Sequence, residues 1–435
     1  MNYKGKKVLV MGIQASGISA GFLLKKLGAE VYCYDDNTTI NITDFNNVTS
    51  YISEILNELD IIVVSPGIPS THAVIKEAKE KKIKIISELE LGCSLLNCPI
   101  IMVTGTNGKT TEVTMIEKLL LSIGLKVKAM GNVGYPVSQV VLDGNALDYA
   151  IVEASSFQLE YILNTKPFIA IIMNLAPDHL DRYDSYNDYI KAKKNIIKNQ
   201  NKNDYIIIND DDSICRQFAR ESQAMKIPVS VRNSKNSVKI KDNYFMFEDA
   251  SICNVKECKL RGEHNKFNLL IALNVGAMLG AKKEHLANLI KDYSLLPNRI
   301  EYVSTLNGIS YYNDSKSTNI HACQYAINSL EGDIGLIMGG SDKNEDFCDF
   351  FENINDRVKA VAVFGANANK IFSSALKMGY IDINVFDSLR EAIAFLNSKN
   401  ISNVLFSPCS ASFDRYKNYS ERGEYFKSLV YEINI

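Results

Sequence analysis

The stretch Val103-Thr104-Gly105-Thr106-Asn107-Gly108-Lys109-Thr110-Thr111 decides the fold of this chain. It follows the apolar residues 99–103 and leads into the periodic residues 115–121, a pattern that predicts a strand, a glycine-rich turn and a helix. In such a loop, glycines let backbone N–H groups approach phosphate oxygens, and the helix N-terminus adds partial positive charge. Lys109 would reach a β- or γ-phosphate, and the Thr110 hydroxyl would ligate Mg²⁺. The stretch predicts an ATP-using enzyme; the alternative is an ordinary glycine turn that opens a helix.

Length and composition indicate a globular protein of several domains. The 435 residues are too many for one core, so about two to four domains are expected. Apolar residues make up 46% and charged residues 23%, values typical of soluble proteins. The net charge of −2 provides no basic field, which argues against a nucleic-acid partner.

Several features favour a cytoplasmic protein without membrane insertion. The apolar run at residues 168–173 is far too short to span a bilayer. The N-terminal residues lead directly into a strand and show no secretory h-region. The nine cysteines are scattered singly, without CxxC or metal-like spacing, as expected for free thiols in a reducing compartment. We expect a monomer.

Strands and helices alternate along almost the whole chain, which predicts parallel α/β sheets. The predicted strands are residues 7–11, 61–64, 100–103, 149–152, 169–173, 205–208, 335–338, 361–364 and 404–406. Because one sheet cannot hold so many strands, we place boundaries near Gly92 and Leu296, giving domains 1–92, 93–296 and 297–435. A polar, β-leaning patch between Ile227 and Cys258 predicts a small antiparallel insertion.

The first domain carries a partial dinucleotide fingerprint. Residues 8–19 read as a strand, a glycine turn with Ser16 and Gly17, and a helix, and the second strand ends at Asp35-Asp36. An acidic residue there would hold ribose hydroxyls. The middle glycine of the fingerprint is missing, which disfavours NAD. A further turn at Gly67 also follows a strand, so a second nucleotide-like substrate is predicted; the alternative is a purely structural turn.

Polar residues recur at strand ends in the central domain. Glu153 follows one predicted strand, residues 174–181 with His179 follow the next, and Asn132 lies in a tight glycine turn. Because Mg²⁺ prefers oxygen ligands, Glu153 is a candidate metal ligand. The alternatives are a helix N-cap for Glu153 and a structural, hydrogen-bonded role for His179.

Lys193 lies on an apolar face of the helix predicted over residues 188–198. Its neighbours three and four positions away are Tyr189, Ile190, Ile196 and Ile197. Such a lysine either extends its amine to water or becomes neutral by burial. A neutral amine can react with CO₂ to give a carbamate, whose two oxygens suit Mg²⁺. Both alternatives stay open on this pattern alone.

The motifs together resemble those of the Mur ligases. The matching stretches are residues 105–111, 131–134, 153–160, 174–182, 262–265 with Asn268, 313–319 and 407–414. The resemblance implies a Rossmann-like UDP-substrate domain, a central ATPase domain of the phosphate-loop type and a Rossmann-like C-terminal domain that binds an amino acid. Two positions depart from the family pattern: Asn298 replaces a frequent His, which puts an adenosine contact in doubt, and Glu112 follows Lys-Thr-Thr, where its charge could weaken ATP binding.

The resemblance also implies roles for individual residues. ATP would be held by Gly105, Thr106, Asn107, Gly108, Lys109, Thr110, Thr111, Asn265, Asn268, Arg299 and Asp314. Mg²⁺ would involve Thr110, Glu153, His179 and a carbamylated Lys193, and the catalytic set would be Lys109, Glu153, His179 and Lys193. The UDP-linked substrate and the amino acid would be bound by Ser16, Gly17, Asp35, Gly67, Asn132, Lys316, Thr318, Lys343, Ser412, Phe413 and Tyr419.

The resemblance is strongest to one branch of the family. Residues 16–19, 65–69 and 412–419 match the branch that adds D-glutamate to UDP-N-acetylmuramoyl-L-alanine (UDP-MurNAc-L-Ala) through an acyl phosphate, in cytoplasmic peptidoglycan precursor synthesis. The alternatives are another Mur-type amino-acid ligase, a folate-type polyglutamate ligase, which should lack the domain around Ser16–Ser19, and a non-catalytic nucleotide-binding relative.

Overall fold

The computed structural model describes residues 2–37, 42–47, 52–132, 134–179, 182–232, 236–258, 260, 262–293, 296–342 and 345–433. The chain forms two compact units. The larger unit comprises Met1–Leu175, Ser185–Glu257 and Phe267–Ile290, and the smaller unit comprises Ala176–Asp184, Cys258–Lys266 and Lys291–Ile435. The three domains read from the sequence remain a prediction.

The first sheet of the larger unit is parallel and five-stranded. Its strands are β1 (Lys7–Met11), β2 (Glu30–Tyr34), β3 (Asn46–Asn47), β4 (Ile61–Val64) and β5 (Lys84–Ser87), in the order β3-β2-β1-β4-β5. Its helices are α1 (Ala15–Lys26), α2 (Ile52–Leu56), α3 (Ala73–Glu80) and α4 (Glu88–Cys93). The chain changes direction across the sheet between β1 and β4, and ligands of open α/β sheets bind at such a switch point.

The second sheet of the larger unit has six parallel strands. They are β6 (Ile100–Thr104), β7 (Val127–Gly131), β8 (Tyr149–Glu153), β9 (Ile169–Ile172), β10 (Tyr205–Asn209) and β11 (Met225–Val229), in the order β11-β10-β9-β6-β8-β7. The helices are α5 (Lys109–Ser122), α6 (Val137–Asp143), α7 (Ser156–Leu159), α8 (Tyr186–Lys194) and α9 (Ser213–Glu221). The central strands β6 and β9 are buried along their whole length, as expected for a sheet covered on both faces.

The predicted antiparallel insertion is confirmed. It consists of β12 (Val238–Lys241), β13 (Tyr244–Phe247) and β14 (Ala250–Asn254). The helices α10 (Glu263–Met278) and α11 (Lys283–Asp292) follow it.

The sheet of the smaller unit is parallel except at one edge. Its strands are β15 (Glu301–Leu306), β16 (Ile309–Asn313), β17 (Ile334–Met338), β18 (Val358–Val363), β19 (Ile383–Val385) and β20 (Asn403–Phe406), in the order β15-β16-β20-β17-β18-β19. The edge strand β15 pairs antiparallel with β16, which the sequence reading did not predict. The helices are α12 (Ile320–Ser329), α13 (Cys348–Glu352), α14 (Ala368–Lys377), α15 (Leu389–Asn397) and α16 (Tyr419–Glu432). Buried apolar side chains form one cluster on each face of the sheet.

Two expectations from composition can be compared with the structure. All nine cysteines are free thiols. Within the described ranges, no helix is both long and apolar enough to cross a membrane.

Candidate functional site

The phosphate-type loop lies between β6 and α5 and is held by the segment that follows β9. The backbone N–H of Thr106 donates to the carbonyl oxygen of Asn174 (2.8 Å), and that of Asn107 donates to Asn174 Oδ1 (2.9 Å). Gly108 caps α5 with a left-handed φ of 85°, a conformation that favours glycine. These hydrogen bonds hold the backbone of the loop, which leads into the amino end of the 14-residue helix α5.

Two lysine amines meet at this loop. Lys109 Nζ donates to the carbonyl oxygens of Gly105 and Thr106, both at 2.9 Å. Lys193 Nζ donates to the same Gly105 oxygen at 2.8 Å. Lys193 is only 2% exposed, so the interpretation that its amine extends to water is wrong.

Helix α8 sets the direction of Lys193. It begins at Tyr186, with Ser185 as its N-cap, and passes into a 3₁₀ turn at Asn195–Ile197, so it is shorter at its carboxyl end than predicted. Tyr189 stacks below the amine, with its ring centroid 4.8 Å from Lys193 Nζ, and its hydroxyl lies 3.0 Å from Thr106 Oγ1. Helix α8 therefore directs the Lys193 side chain towards the phosphate-type loop.

Glu153 ends β8 and provides an oxygen suited to a metal. Asn132 Nδ2 donates to Glu153 Oε1 at 2.8 Å, while Oε2 is buried and makes no hydrogen bond within the described part of the chain. The N-cap of α7 is Ser155, through a capping box with Gln158, so the interpretation of Glu153 as the N-cap is wrong. A buried carboxylate oxygen without a partner fits Mg²⁺, which binds few protein carboxylates and completes its shell with water and phosphate. Within the described ranges, no group of three or more His, Cys, Asp or Glu side chains that could hold a metal ion occurs.

His179 belongs to the smaller unit. It adopts a left-handed φ of 56°, and its backbone N–H donates to Asp178 Oδ1 at 2.9 Å. Asp178 Oδ2 lies 3.7 Å from His179 Nε2 and accepts a hydrogen bond from Asn319 Nδ2 at 3.1 Å. The metal role of His179 remains a prediction.

The other residues expected to hold ATP lie in both units. Asn268 abuts the loop in the larger unit, since a Cβ on Gly108 would lie 3.3 Å from its side-chain amide. In the smaller unit, Asp314 is buried and accepts hydrogen bonds from Ser407 Oγ (2.8 Å) and the N–H of Ile300 (3.2 Å). Burial raises the pKa of Asp314 to about 7. Arg299 Nε is buried and has no hydrogen-bond partner in the described residues, so its N–H is a donor that fits an acceptor group of a ligand.

Asn265, for which an ATP contact is predicted, is buried on α10. Asn298 is buried as well; its N–H donates to Glu301 Oε2 and its Oδ1 accepts from Asn313 Nδ2, at 2.8 and 2.9 Å. Its side chain therefore stabilises the turn before β15.

The expected amino-acid site lies on two loops of the smaller unit. Lys316 Nζ lies 4.9 Å from the ring centroid of Tyr419, and Ser412 is buried while Phe413 is 76% exposed. Thr318 is half-buried between Lys316 and α12. Lys343 lies outside the described residues.

Arg422 is a residue that the sequence reading missed. It is fully buried on α16 and joins the two loops. Its Nε donates to Ser315 Oγ at 3.0 Å, and its Nη2 donates to the carbonyl oxygen of Ser315 at 2.8 Å. Its Nη1 donates to the carbonyl oxygen of Ala411 at 3.1 Å. Burial lowers its pKa to about 10, so it stays charged at neutral pH. The available signal was one arginine spaced three and four residues from Tyr419, Tyr425 and Phe426.

In the first sheet, the glycine turn after β1 is tightly built. A Cβ on Gly17 would lie 2.0 Å from the carbonyl oxygen of Gly12, and Ser65 Oγ donates to that same oxygen at 2.7 Å. Ser16 is half-buried at the start of α1, whereas a Cβ on Gly67 would meet open space. Both carboxylate oxygens of Asp35 accept backbone hydrogen bonds, from the N–H groups of Ile13 (2.6 Å) and Asn37 (2.9 Å).

Glu112 is buried in the larger unit. It is 0% exposed, and neither carboxylate oxygen has a hydrogen-bond partner within the described ranges. It lies three, four and seven residues before Met115, Ile116 and Leu119, which are all buried. Burial raises the pKa of Glu112 well above its ordinary value.

We expect Glu112→Val to stabilise the protein by about 1–3 kcal/mol at pH 8, because it removes a buried polar group that lacks partners. The unfolded chain ionises above pH about 4.3, whereas the folded state holds the proton to higher pH. The parent therefore loses stability as pH rises through this window. Urea unfolding should show the gap between variant and parent widening from pH 5 to pH 8. The exposed first-turn residue Glu284 on α11 provides a control; an equal gain from Glu284→Val would contradict the explanation.

Comparisons with known proteins cover nearly the whole chain. Three family models match: the Mur ligase MurD-like N-terminal domain over residues 6–87, the Mur ligase middle domain over 103–276, and the Mur ligase glutamate ligase domain over 298–407. The chain is 36% identical to the UDP-N-acetylmuramoylalanine--D-glutamate ligase of Thermoanaerobacter pseudethanolicus, covering 100% of both chains. It is 36% identical to the protein of that name from Lachnoclostridium phytofermentans, covering 100% of this chain and 99% of the other. In fold, it matches the MurF ligase from Thermotoga maritima in complex with ADP, with a TM-score of 0.62, 16% identity and coverage of 99% and 96%.

Proposed function

Because the chain belongs to the Mur ligase family, we propose that it is an ATP-dependent ligase that joins D-glutamate to UDP-MurNAc-L-Ala. The observation that carries this proposal is the similarity over the full length of both chains to ligases of that name. The position of the Lys109 amine at the Gly105 oxygen of the phosphate-type loop supports it, because amide formation driven by ATP needs cationic groups at transferring phosphates.

The reaction would proceed in two steps. The terminal carboxylate of the UDP-linked substrate attacks the γ-phosphorus of ATP, forming an acyl phosphate and releasing ADP. The neutral amine of D-glutamate then attacks the acyl carbon, an amide bond forms, phosphate leaves and the amine loses a proton. Lys109 and the amino end of α5 would stabilise the charge on the transferring group.

The metal would be held by Glu153, Thr110, His179 and the modified Lys193. When bound, Mg²⁺ neutralises the phosphate oxygens. Asn132 orients Glu153 through its 2.8 Å hydrogen bond, which leaves Oε2 for the metal. Asn132 would also contact the UDP-linked substrate.

Lys193 would carry a carbamate. Its neutral amine adds to the carbon of CO₂, an N–C bond forms and one N–H proton leaves, giving a group with two oxygens. Enclosure of the amine beside Gly105 supports this reaction, since burial favours the neutral amine.

The three domains would divide the substrates. Residues 1–92 would bind the UDP moiety, residues 93–296 the ATP phosphates, and residues 297–435 D-glutamate. In this proposal the enzyme is a cytoplasmic monomer of cell-wall precursor synthesis, and its partners are small molecules.

One assay tests the proposal against its rivals. ADP release is measured with UDP-MurNAc-L-Ala and, in turn, D-glutamate, L-alanine, D-alanine and L-lysine. The proposal expects turnover with D-glutamate alone. Turnover with a different amino acid identifies another Mur-type ligase, and absence of ADP release with every amino acid identifies a non-catalytic relative.

We expect Lys316→Met to raise the KM for D-glutamate about ten- to a hundredfold and to change the KM for ATP little, because a charged hydrogen bond to a carboxylate is lost. Steady-state kinetics measure both constants. Lys417→Met, at an exposed lysine two residues before Tyr419, serves as the control with near-parent kinetics. An equal rise in both KM values would place Lys316 elsewhere.

A further inference from the structure

Helix α4 carries two buried carboxylates that reach from the first sheet of the larger unit to the second. Glu88 is 1% exposed, and its Oε1 accepts a hydrogen bond from the backbone N–H of Ser138 at 2.7 Å. Glu90 is 0% exposed and accepts from the N–H groups of Asn164 (2.8 Å) and Thr165 (3.0 Å) and from Thr165 Oγ1 (2.5 Å). These partners precede and follow β8 in the chain, so α4 holds both segments that flank this strand.

The hydrogen bond from Ser138 completes the amino end of α6. Pro136 is the N-cap of this helix and makes no side-chain hydrogen bond to it. The first N–H groups of a helix have no partner inside the helix, and a side-chain oxygen at the N-cap usually accepts from one of them. Glu88 provides that oxygen from a different helix, so its removal would leave α6 without a cap.

The helices of the first sheet pack closely against the amino end of α6. A Cβ on Gly92 of α4 would lie 2.6 Å from Val137 Cγ1 and 2.9 Å from the Ser138 nitrogen. A further contact comes from α1, where Ser19 Oγ donates to Gln139 Oε1 at 3.2 Å. The cap from Glu88 therefore acts at a tight junction, where it fixes the distance between the helices.

This junction lies at the ligand-binding edges of both sheets. Strand β5 ends at Ser87, directly before Glu88. Strand β7 ends at Gly131, which pairs with Glu153 at the end of β8. Ligands of open parallel sheets bind at the carboxyl ends of the strands. The hydrogen bond between Glu88 and Ser138 therefore joins the carboxyl edge of the first sheet to the edge of the second sheet that carries Glu153.

A short hydrogen-bonded turn connects α6 to Asn132. The N–H of Gly131 donates to the carbonyl oxygen of Tyr135 at 2.8 Å, and the N–H of Asn132 donates to the carbonyl oxygen of Glu153 at 2.9 Å. Asn132 Nδ2 also donates to Glu153 Oε1 at 2.8 Å. A displacement of the amino end of α6 would therefore displace this turn, and with it the side chain that orients Glu153.

We infer that Glu88 is a positioning residue for the UDP-linked substrate. The inference rests on the proposed function, in which the UDP moiety binds the first sheet and the substrate carboxylate reaches ATP at the second. Such a substrate spans both sheets, so its carboxylate meets the γ-phosphate only if the two edges keep a fixed separation. By capping α6 from α4, Glu88 fixes that separation and the place of Asn132 and Glu153. Its removal should affect the chemical step while the binding of UDP itself is retained.

Glu88→Leu tests the inference in the full-length protein, with kcat expressed per UDP-binding site counted by calorimetry. Leucine occupies the buried space but provides no acceptor. We expect kcat to fall about ten- to a hundredfold, because a misplacement of about 1 Å is enough for such a loss. The Kd for UDP should equal that of the parent. Glu88→Gln keeps an acceptor oxygen for the Ser138 N–H and should keep most of the parent kcat. Glu80→Leu, at an exposed residue that ends α3, is the control with parent values of both constants.

A second substitution separates positioning from the stability of α6. Pro136→Ser gives this helix an N-cap of its own, since serine is a preferred N-cap residue. In the Glu88→Leu background it should restore the resistance to urea but not kcat, because the hydrogen bond between the two sheets stays absent. Recovery of kcat together with stability would show that Glu88 acts only as a cap, and would overturn the inference.

The Asn132→Ala background tests the route. If Glu88 acts through the Asn132 turn, Glu88→Leu should lower kcat little further in that background, because coupled residues are not additive; additive losses overturn the inference. It is also overturned if Glu88→Leu keeps the parent kcat, if Glu88→Gln loses as much as Glu88→Leu, or if the Kd for UDP rises in step with the loss of kcat. If the parent releases no ADP with D-glutamate, the proposed function itself fails. If the parent does so and Glu88→Leu equals it, only this inference fails.

Discussion

Lys109→Met should reduce ADP release at least about a hundred- to a thousandfold, the usual cost of losing one charged group that stabilises a transition state. The amine lies over the loop, 2.9 Å from the carbonyl oxygens of Gly105 and Thr106. Under the proposed function, this is the place where the transferred phosphate oxygens would gain charge. Methionine keeps the length of the side chain, so the loss would report on charge.

UDP binding should survive this substitution, because the proposed uridine site is on the first sheet and Lys109 follows the second. Calorimetry with UDP measures that binding, and acyl-phosphate trapping measures the first chemical step. Lys118→Met, an exposed lysine on the same helix, is the matched control with near-parent activity. Equal loss of UDP binding and acyl-phosphate formation in Lys109→Met would show that the assignment of domains to substrates is wrong.

The sequence predicted the sheets well, because nearly all of them are parallel and buried. A strand covered on both faces reads as a continuous apolar run, and the predicted strands at residues 7–11, 61–64 and 205–208 all exist. The polar residues that end such runs were identified for the same reason. The antiparallel edge strand β15 has mixed exposure, so neither an apolar run nor a regular alternation marked it.

Other features depend on partners distant in sequence, which spacing cannot reveal. Asp35 and Asp36 both follow the second strand, and the sequence reading chose Asp35. Their different hydrogen bonds, to Ile13 and to His72, are visible only in the structure. Arg422 reaches Ser315 across 107 positions. Local pattern describes the face on which a residue lies but not the group that it meets.

Lys193 shows what a local sequence pattern predicts and what it leaves undecided. Its apolar helical neighbours indicated an unusual lysine, yet the pattern fitted an amine in water as well as a buried one. The structure resolves this point because the Gly105 oxygen, 88 positions earlier, accepts from the amine at 2.8 Å. Substitution of Lys193 and isotope labelling test whether that amine carries a carbamate.

Lys193→Ala should lose at least about a hundredfold in ADP release, since it would remove two oxygens that hold the metal against the phosphates. Short carboxylates such as acetate should restore part of the activity by filling the space left by the side chain. With ¹³C-labelled bicarbonate, the parent should show a carbamate signal in NMR that Lys193→Ala lacks.

The adjacent residue provides the control for this experiment. Lys194 is partly exposed and pairs with Glu221 on the surface, so Lys194→Ala should keep both the activity and the carbamate signal. A structural role for Lys193 would also lower activity, but acetate would not then restore it, because a lost packing contact is not replaced by a soluble carboxylate. Full activity of Lys193→Ala at low bicarbonate would exclude the carbamate. The Lys193 amine would then have no part in the activity, and Glu153 would be left as the main carboxylate for the metal in the larger unit.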